Sequence, residues 1–169
     1  MKTNLLRLAL LTIVIFTMNS CSSDKSEEAS IEASNLTAKV VDYNYNELEL
    51  ATMVLINEYR VSQGLNPLEK INHMSFKSEQ HDDYMIANKV VNHNDFVSRS
   101  ENIIKVLGAK TVGENVAYNF KTAESVVAAW LNSPAHKENI VGNYTHFGIA
   151  IKSDPVTGKN YYTNIFAKI

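Results

Sequence analysis

The spacing of apolar residues changes near residue 142. Before that point they recur at steps of three and four residues, as on one face of a helix, and after it they alternate, as in a strand. The first pattern predicts helices over residues 46–64, 72–88, 98–107 and 122–132. Gly64 and Gly108 are natural helix ends, and Ser98 is a candidate N-cap. Ser133 and Pro134 predict a further helix, with Ser133 as the N-cap and Pro134 in the first position.

The alternating pattern predicts a hairpin at the C-terminus. Phe147, Ile149 and Ile151 alternate along its first strand, residues 154–158 form a turn, and residues 161–167 supply the partner strand. An earlier strand is predicted over residues 116–118. Helices followed by an antiparallel hairpin indicate an α+β domain, with Trp130 of the fourth helix in its core.

The N-terminus has the pattern of a targeting segment. Lys2 and Arg7 begin a short apolar run over residues 8–18, which is typical of a signal peptide and shorter than the roughly 20 apolar residues that span a membrane. This run leads into Cys21, and the border resembles the lipidation site of bacterial lipoproteins. The alternative is an incidental cysteine in a secretory signal. We expect a lipoprotein signal peptide over residues 1–20 and lipidation of Cys21.

Composition limits the rest of the chain. Residues 21–45 are rich in Ser, Glu, Ala and Asn, which predicts a flexible tether from lipidated Cys21 to a domain over residues 46–169. The net charge is −2 with the two basic residues of the signal peptide included, so the remainder is more acidic, which argues against nucleic acid as a partner. Cys21 is the only cysteine, so no disulfide is expected.

Several segments of the predicted domain resemble one family in the same order. They are LINEYR at 55–60 with GLNPL at 64–68, His81 and Met85 leading to His93, GENVA at 113–117, WLNSPAHKENI at 130–140 and NYT at 143–145. Together they are similar to the CAP, or SCP-like, superfamily of cysteine-rich secretory, antigen 5 and pathogenesis-related proteins, and the Ser-Pro-x-His segment resembles its bacterial branch. The resemblance covers residues 48–169. It implies an α-β-α sandwich with a central antiparallel sheet.

The resemblance also implies a cleft. Animal and plant members build it from two histidines and two glutamates, of which the first of each falls on His93 and Glu114. Ser133 and Asn143 occupy the positions of the second glutamate and the second histidine. The bacterial branch instead implies His136 as a cleft residue.

His93, Glu114 and His136 suit two kinds of chemistry. Imidazole and carboxylate groups can hold a divalent metal ion such as zinc, or can act as a general base and an orienting acid. His136 takes the third position of its predicted helix, where the helix dipole favours a neutral imidazole. Each residue also has a structural alternative, in which His93 binds loop backbone, Glu114 accepts backbone N–H groups and His136 satisfies a turn. The remaining histidines are assigned as one further cleft candidate, His146, and two surface or helix-packing residues, His73 and His81.

Two functions follow as hypotheses. The first is a binding module on the cell envelope, facing the periplasm or the exterior, with a lipid, glycan or protein ligand. The missing half of the histidine and glutamate set favours it, because catalysis needs every role filled. The alternative is a metal-assisted hydrolase that uses His93, Glu114 and His136.

Overall fold

The computed structural model describes residues 41–169, so the predicted signal peptide, Cys21 and most of the predicted tether lie outside the described residues. The described part contains helices α1 (Glu47–Ser62), α2 (Asn72–Asn88), α3 (Phe96–Leu107), α4 (Ala123–Asn132) and α5 (Pro134–Val141), and strands β1 (Glu69–Lys70), β2 (Thr111–Tyr118), β3 (His146–Ser153) and β4 (Asn160–Lys168).

The four strands form one sheet in the order β1-β3-β4-β2. Strands β2, β3 and β4 are antiparallel neighbours, and the two-residue strand β1 adds a parallel pair at the β3 edge. The predicted central antiparallel sheet is therefore confirmed for its three long strands. The strand β1 was not predicted, because two exposed residues carry no alternating pattern.

The helices cover both faces of the sheet. On one face α1, α4 and α5 pack against side chains such as Phe147, Ile149 and Phe166, and Trp130 is buried there as predicted. On the other face α2 and α3 supply Met74 and Ile103. The α-β-α architecture implied by the sequence is confirmed. Helix α2 approaches the sheet closely, because a Cβ built on Gly148 would lie 2.4 Å from the Cβ of Met74.

Most helix boundaries follow the sequence prediction. Asn46 and Thr122 cap α1 and α4 with reciprocal side-chain and backbone hydrogen bonds. The prediction for α3 was wrong at its start, since the helix begins at Phe96 after Asp95 rather than after Ser98. Asp95 has a positive φ of 59° and makes no side-chain cap, so the usual N-cap signal is missing there.

Side chains satisfy the outer edges of the long strands. The Trp130 indole donates to the Val116 carbonyl on β2, and the Asn139 amide donates to the Glu114 carbonyl. At the opposite edge, the buried carboxylate of Glu49 accepts from the Ile151 N–H. An edge occupied in this way offers fewer free backbone groups to another strand.

The end of the predicted tether is part of the folded domain. The Tyr43 hydroxyl donates to Glu49 at 2.8 Å, and the Tyr45 hydroxyl lies 3.0 Å from that of Ser75. Ordered contacts therefore begin a few residues before the predicted boundary at residue 46. Within the described residues, none of the helices combines the length and the apolar character that crossing a membrane requires.

Candidate functional site

The best-defined polar group in the described structure joins His93, Arg99 and Glu114, and we call it the His93 cluster. Glu114 lies on β2 and faces the α2/α3 layer, with its side chain only 1% exposed. Arg99, in the first turns of α3, donates from Nε and Nη2 to the two Glu114 oxygens at 2.9 and 2.8 Å. His93, in the loop between α2 and α3, places Nδ1 2.8 Å from Glu114 Oε1. Two of the three predicted cleft residues therefore meet directly.

Arg99 determines what Glu114 can do. A two-point guanidinium–carboxylate pair is among the strongest hydrogen-bonded arrangements, and burial protects it from water. With both oxygens engaged by Arg99 and one shared with His93, Glu114 is held as a charged acceptor. It is poorly placed to take a proton from a substrate.

The hydrogen bond to Glu114 also fixes the His93 ring. Nδ1 must carry the proton to donate to a carboxylate, so the lone pair of the neutral ring lies on Nε2. The His93 side chain is 49% exposed, while its partner is buried. His93 therefore presents a basic nitrogen toward the surface from a ring that is held on its other side.

His136 lies on the opposite side of β2. It is the third residue of α5, which packs with α1 and α4 on the other face of the sheet, and the Asn115 amide of β2 donates to its carbonyl at 3.0 Å. Its Nδ1 lies 2.7 Å from the Ser133 hydroxyl. Burial lowers the pKa of His136, and the neighbouring His93 lowers it further. The imidazole is therefore favoured in its neutral form, as predicted.

Ser133 takes the N-cap position of α5, as predicted, but its side chain does not cap the helix. The hydroxyl bonds the His136 ring instead. Pro134 follows in the first helical position. Ser133 therefore serves to orient His136.

Two further positions are cleft candidates, Asn143 in the segment before β3 and His146 as the first residue of β3. Asn143 accepts from Lys168 Nζ at 3.2 Å. His146 bonds the Thr145 hydroxyl through Nδ1 at 2.8 Å and has Nε2 3.8 Å from Glu69. Among the hydrogen bonds of residues 41–169, none links Asn143 or His146 to the His93 cluster, so their cleft role stays a prediction.

The donor set for a metal is incomplete. Across residues 41–169, no group of three or more His, Cys, Asp or Glu side chains is arranged to hold a metal ion. Glu114 is engaged by Arg99, so the nitrogens that remain are Nε2 of His93 and Nε2 of His136. Two imidazoles alone do not fill a zinc site, which takes three or four protein ligands. Metal binding by His93, Glu114 and His136 therefore stays a prediction.

The sequence did not predict the contacts of three residues at or near the His93 cluster. Arg99 lies on a helix with no motif that marks it, and only the packing of α3 on β2 brings it to Glu114. Asn139 donates to both Glu114 O and Asn115 Oδ1 and so fastens α5 to β2. His81 was expected to be a surface or helix-packing residue. It is a buried residue of α2, which agrees with packing, but its hydrogen bond to the Asn92 carbonyl beside His93 was not expected. His73 bonds Asn102 Oδ1 at 2.8 Å, away from the cluster.

Comparison with known proteins agrees with this architecture. An uncharacterised Bacillus subtilis protein, YkwD, is 33% identical over 125 residues, which cover 72% of this chain and 48% of that protein, so the chain spans about half the length of this curated relative. The structure of an outer surface protein of Borrelia burgdorferi matches with a TM-score of 0.64 at 21% identity over 75% of this chain and 96% of that one. An extracellular SCP-domain protein of Bacillus anthracis matches with a TM-score of 0.63 at 20% identity over 72% of this chain and 40% of that one. The family model for cysteine-rich secretory proteins matches residues 53–166. The chain therefore belongs to the cysteine-rich secretory protein family, known as CAP.

Proposed function

We propose that this protein is an extracytoplasmic, lipid-anchored CAP-domain binding module that holds a lipid, glycan or protein ligand without transforming it. The single observation that carries the proposal is the state of Glu114. Its carboxylate is buried and paired with both Arg99 and His93. Glu114 is therefore not free to act as a general base. His93 has its ring oriented by Glu114, and with Ser133 and Asn143 in place of the second glutamate and second histidine the catalytic set is half filled, which favours binding.

The surface of the cluster suits recognition. His93 exposes an Nε2 lone pair that can accept a hydrogen bond from a ligand hydroxyl or amide. Because Glu114 holds the ring from behind, little freedom of the ring is lost on binding. The cluster therefore provides a fixed acceptor whose geometry does not depend on a metal.

The sequence and the comparisons together support the proposed location. The matched structures include an outer surface protein and an extracellular protein, which supports a site of action outside the cytoplasm. The apolar segment before Cys21 supports export and anchoring by lipid, for which more than one acyl chain is needed if the attachment is to be stable. A short tether would keep the domain near the membrane surface.

A metal-assisted hydrolase is the second candidate. One observation favours it, since a histidine that donates Nδ1–H to a carboxylate while Nε2 stays free is the usual arrangement of a metal-ligating imidazole. A metal ion held by that nitrogen would supply Lewis acidity to a bound substrate or water. His93 and His136 would supply two of its ligands, and the others would have to come from water or substrate, since two imidazoles alone do not fill a zinc site.

A zinc titration coupled to a hydrolysis assay separates the two. Calorimetry on the purified chain would measure zinc uptake by the wild type and by the variant His93→Ala/His136→Ala, with His73→Ala as the matched control. The binding role predicts no zinc-dependent cleavage of peptide or ester substrates. Equimolar zinc uptake that the double variant loses, together with turnover that depends on zinc, would refute it and establish the hydrolase.

A further inference from the structure

The loop that carries His93 is held in an unusual conformation. Its two ends, Lys89 and Asp95, are non-glycine residues with positive φ values of 55° and 59°. Such residues persist in the left-handed region only where surrounding contacts over-determine the backbone, and they concentrate at functional sites. The loop must therefore be fastened by specific contacts.

Side chains from both flanking helices supply these contacts. The Asn94 amide donates to the Tyr84 hydroxyl at 2.7 Å, and Arg99 Nη1 donates to the Asn94 carbonyl at 2.7 Å. His81 Nε2 lies 2.8 Å from the Asn92 carbonyl. Because a carbonyl can only accept, the His81 ring must donate through Nε2–H. The peptide group between Asn92 and His93 is therefore held by a hydrogen bond to a buried side chain of α2.

The other nitrogen of His81 argues against a simple packing role. The residue is 2% exposed, and its Nδ1 is buried without a hydrogen-bond partner. A buried polar atom that lacks a partner destabilises the fold, and an apolar side chain of similar size would avoid that cost. What the imidazole provides instead is the one hydrogen bond to the loop. The flat contact with Tyr84, at 5.8 Å between centroids, keeps the ring in the plane for that bond.

We propose that His81 is a positioning residue for the His93 cluster, which sets the orientation of the His93 imidazole by fixing the Asn92 carbonyl. His81 acts through the loop and does not touch the ligand. This role rests on the proposed function, because a fixed ring matters only if His93 meets a ligand. The position of the exposed Nε2 of His93 then depends on two contacts, that of Glu114 with the ring and that of His81 with the loop backbone.

The test measures the tautomer of the His93 ring in the ligand-free protein. Long-range proton–nitrogen spectra at about pH 8, where imidazoles are neutral, distinguish the Nδ1–H from the Nε2–H tautomer. We expect His93 as the Nδ1–H tautomer and His81 as the Nε2–H tautomer in the wild type. In His81→Leu the loop that brings the ring to Glu114 loses its hydrogen bond to α2, so the bond between His93 and Glu114 should weaken and the Nε2–H tautomer should appear in the His93 signals. His81→Gln, whose amide can donate from the same place, should restore the single tautomer.

A control variant and two defined outcomes complete the test. His73→Leu removes a hydrogen-bonded histidine from the same helix and should leave the His93 signals unchanged. If His81→Leu lowers stability but leaves the His93 tautomer as in the wild type, the positioning role is overturned. Should that variant fail to fold, His81→Asn, whose amide is too short to reach Asn92, replaces it under the same criteria. Because no ligand is present, a failure of the proposed binding function would not change this readout.

Discussion

The pair between Arg99 and Glu114 gives the sharpest test of the cluster. The Glu114 side chain is 1% exposed and that of Arg99 is 10% exposed, so the variant Arg99→Met would leave a carboxylate buried with His93 as its remaining side-chain partner. Removal of one member of a buried ion pair costs about 3–5 kcal/mol, because the other charge stays buried. Arg99 keeps some contact with solvent, so we expect the low end, about 3 kcal/mol.

The assay is urea denaturation followed by circular dichroism. A change of 1 kcal/mol shifts the melting temperature of a chain of this size by about 2–4 °C, so thermal melting should show a loss of roughly 10 °C. Lys152→Met is the matched control, since Lys152 pairs with Glu79 and Asp83 but is 34% exposed. We expect the control to cost at most about 1 kcal/mol, the usual value for an exposed pair.

A double variant separates the cost of the unpaired Glu114 charge from the other effects of losing Arg99. Arg99→Met combined with Glu114→Gln removes both ions, so it should be more stable than Arg99→Met alone, because no unpaired charge remains buried. If Arg99→Met costs no more than Lys152→Met, or if the double variant is no more stable than the single one, Glu114 is not held as a buried anion. Glu114 would then be available to act as a base.

Three further predictions concern the core, the layer contact and the anchor. Burial holds the pKa of Asp82 well above its usual range, so the stability from its neutral form is present below about pH 4 and is lost as the pH rises through the folded pKa. Asp82→Asn, which keeps an acceptor for Thr163, should be more stable than the wild type at pH 7 in urea denaturation, and parallel profiles from pH 4 to 8 would contradict this. Gly148→Ala should cost about 1–3 kcal/mol, because the added methyl group meets Met74 and the Ser75 backbone, and an unchanged denaturation midpoint would show that α2 does not pack this closely. Cys21→Ser should release the chain from membranes in a partition assay while its circular dichroism stays that of the wild type, and continued sedimentation with membranes would refute lipidation.

The helices were predictable because their local signals agree with their packing. The 72–88 prediction matches Asn72–Asn88, since the Asn88 side chain and the left-handed Lys89 end the helix where the pattern ends. Strand β3 was predictable for a different reason. Large and small side chains alternate along this strand, which is a strand signal in the sequence. One of the small residues, Gly148, also leaves room for α2 to approach the sheet.

The cluster was only partly predictable, because strand β2 gives no local sign of its orientation. Five consecutive residues of β2, from Gly113 to Ala117, are buried, so alternation of apolar and polar residues cannot show which side chains face which layer. The sequence marked Glu114 through its resemblance to a family. It did not show that α3 would bring Arg99 to the same carboxylate, since that depends on tertiary packing across 15 residues.

The geometry of β2 explains why His93 and His136 are supported from opposite faces of the sheet. Successive side chains of a strand point to opposite faces, so Glu114 holds His93 in the α2/α3 layer while Asn115 binds the backbone of His136 in the α5 layer. Because β2 is an edge strand, both of these contacts lie at that edge of the sheet. Each ring is also fixed separately at Nδ1, by Glu114 in one case and by Ser133 in the other. A ligand that binds one ring alone depends on one of these orientations, whereas a metal shared by both rings depends on two that are set independently. We therefore propose recognition at His93 alone rather than coordination shared by both rings.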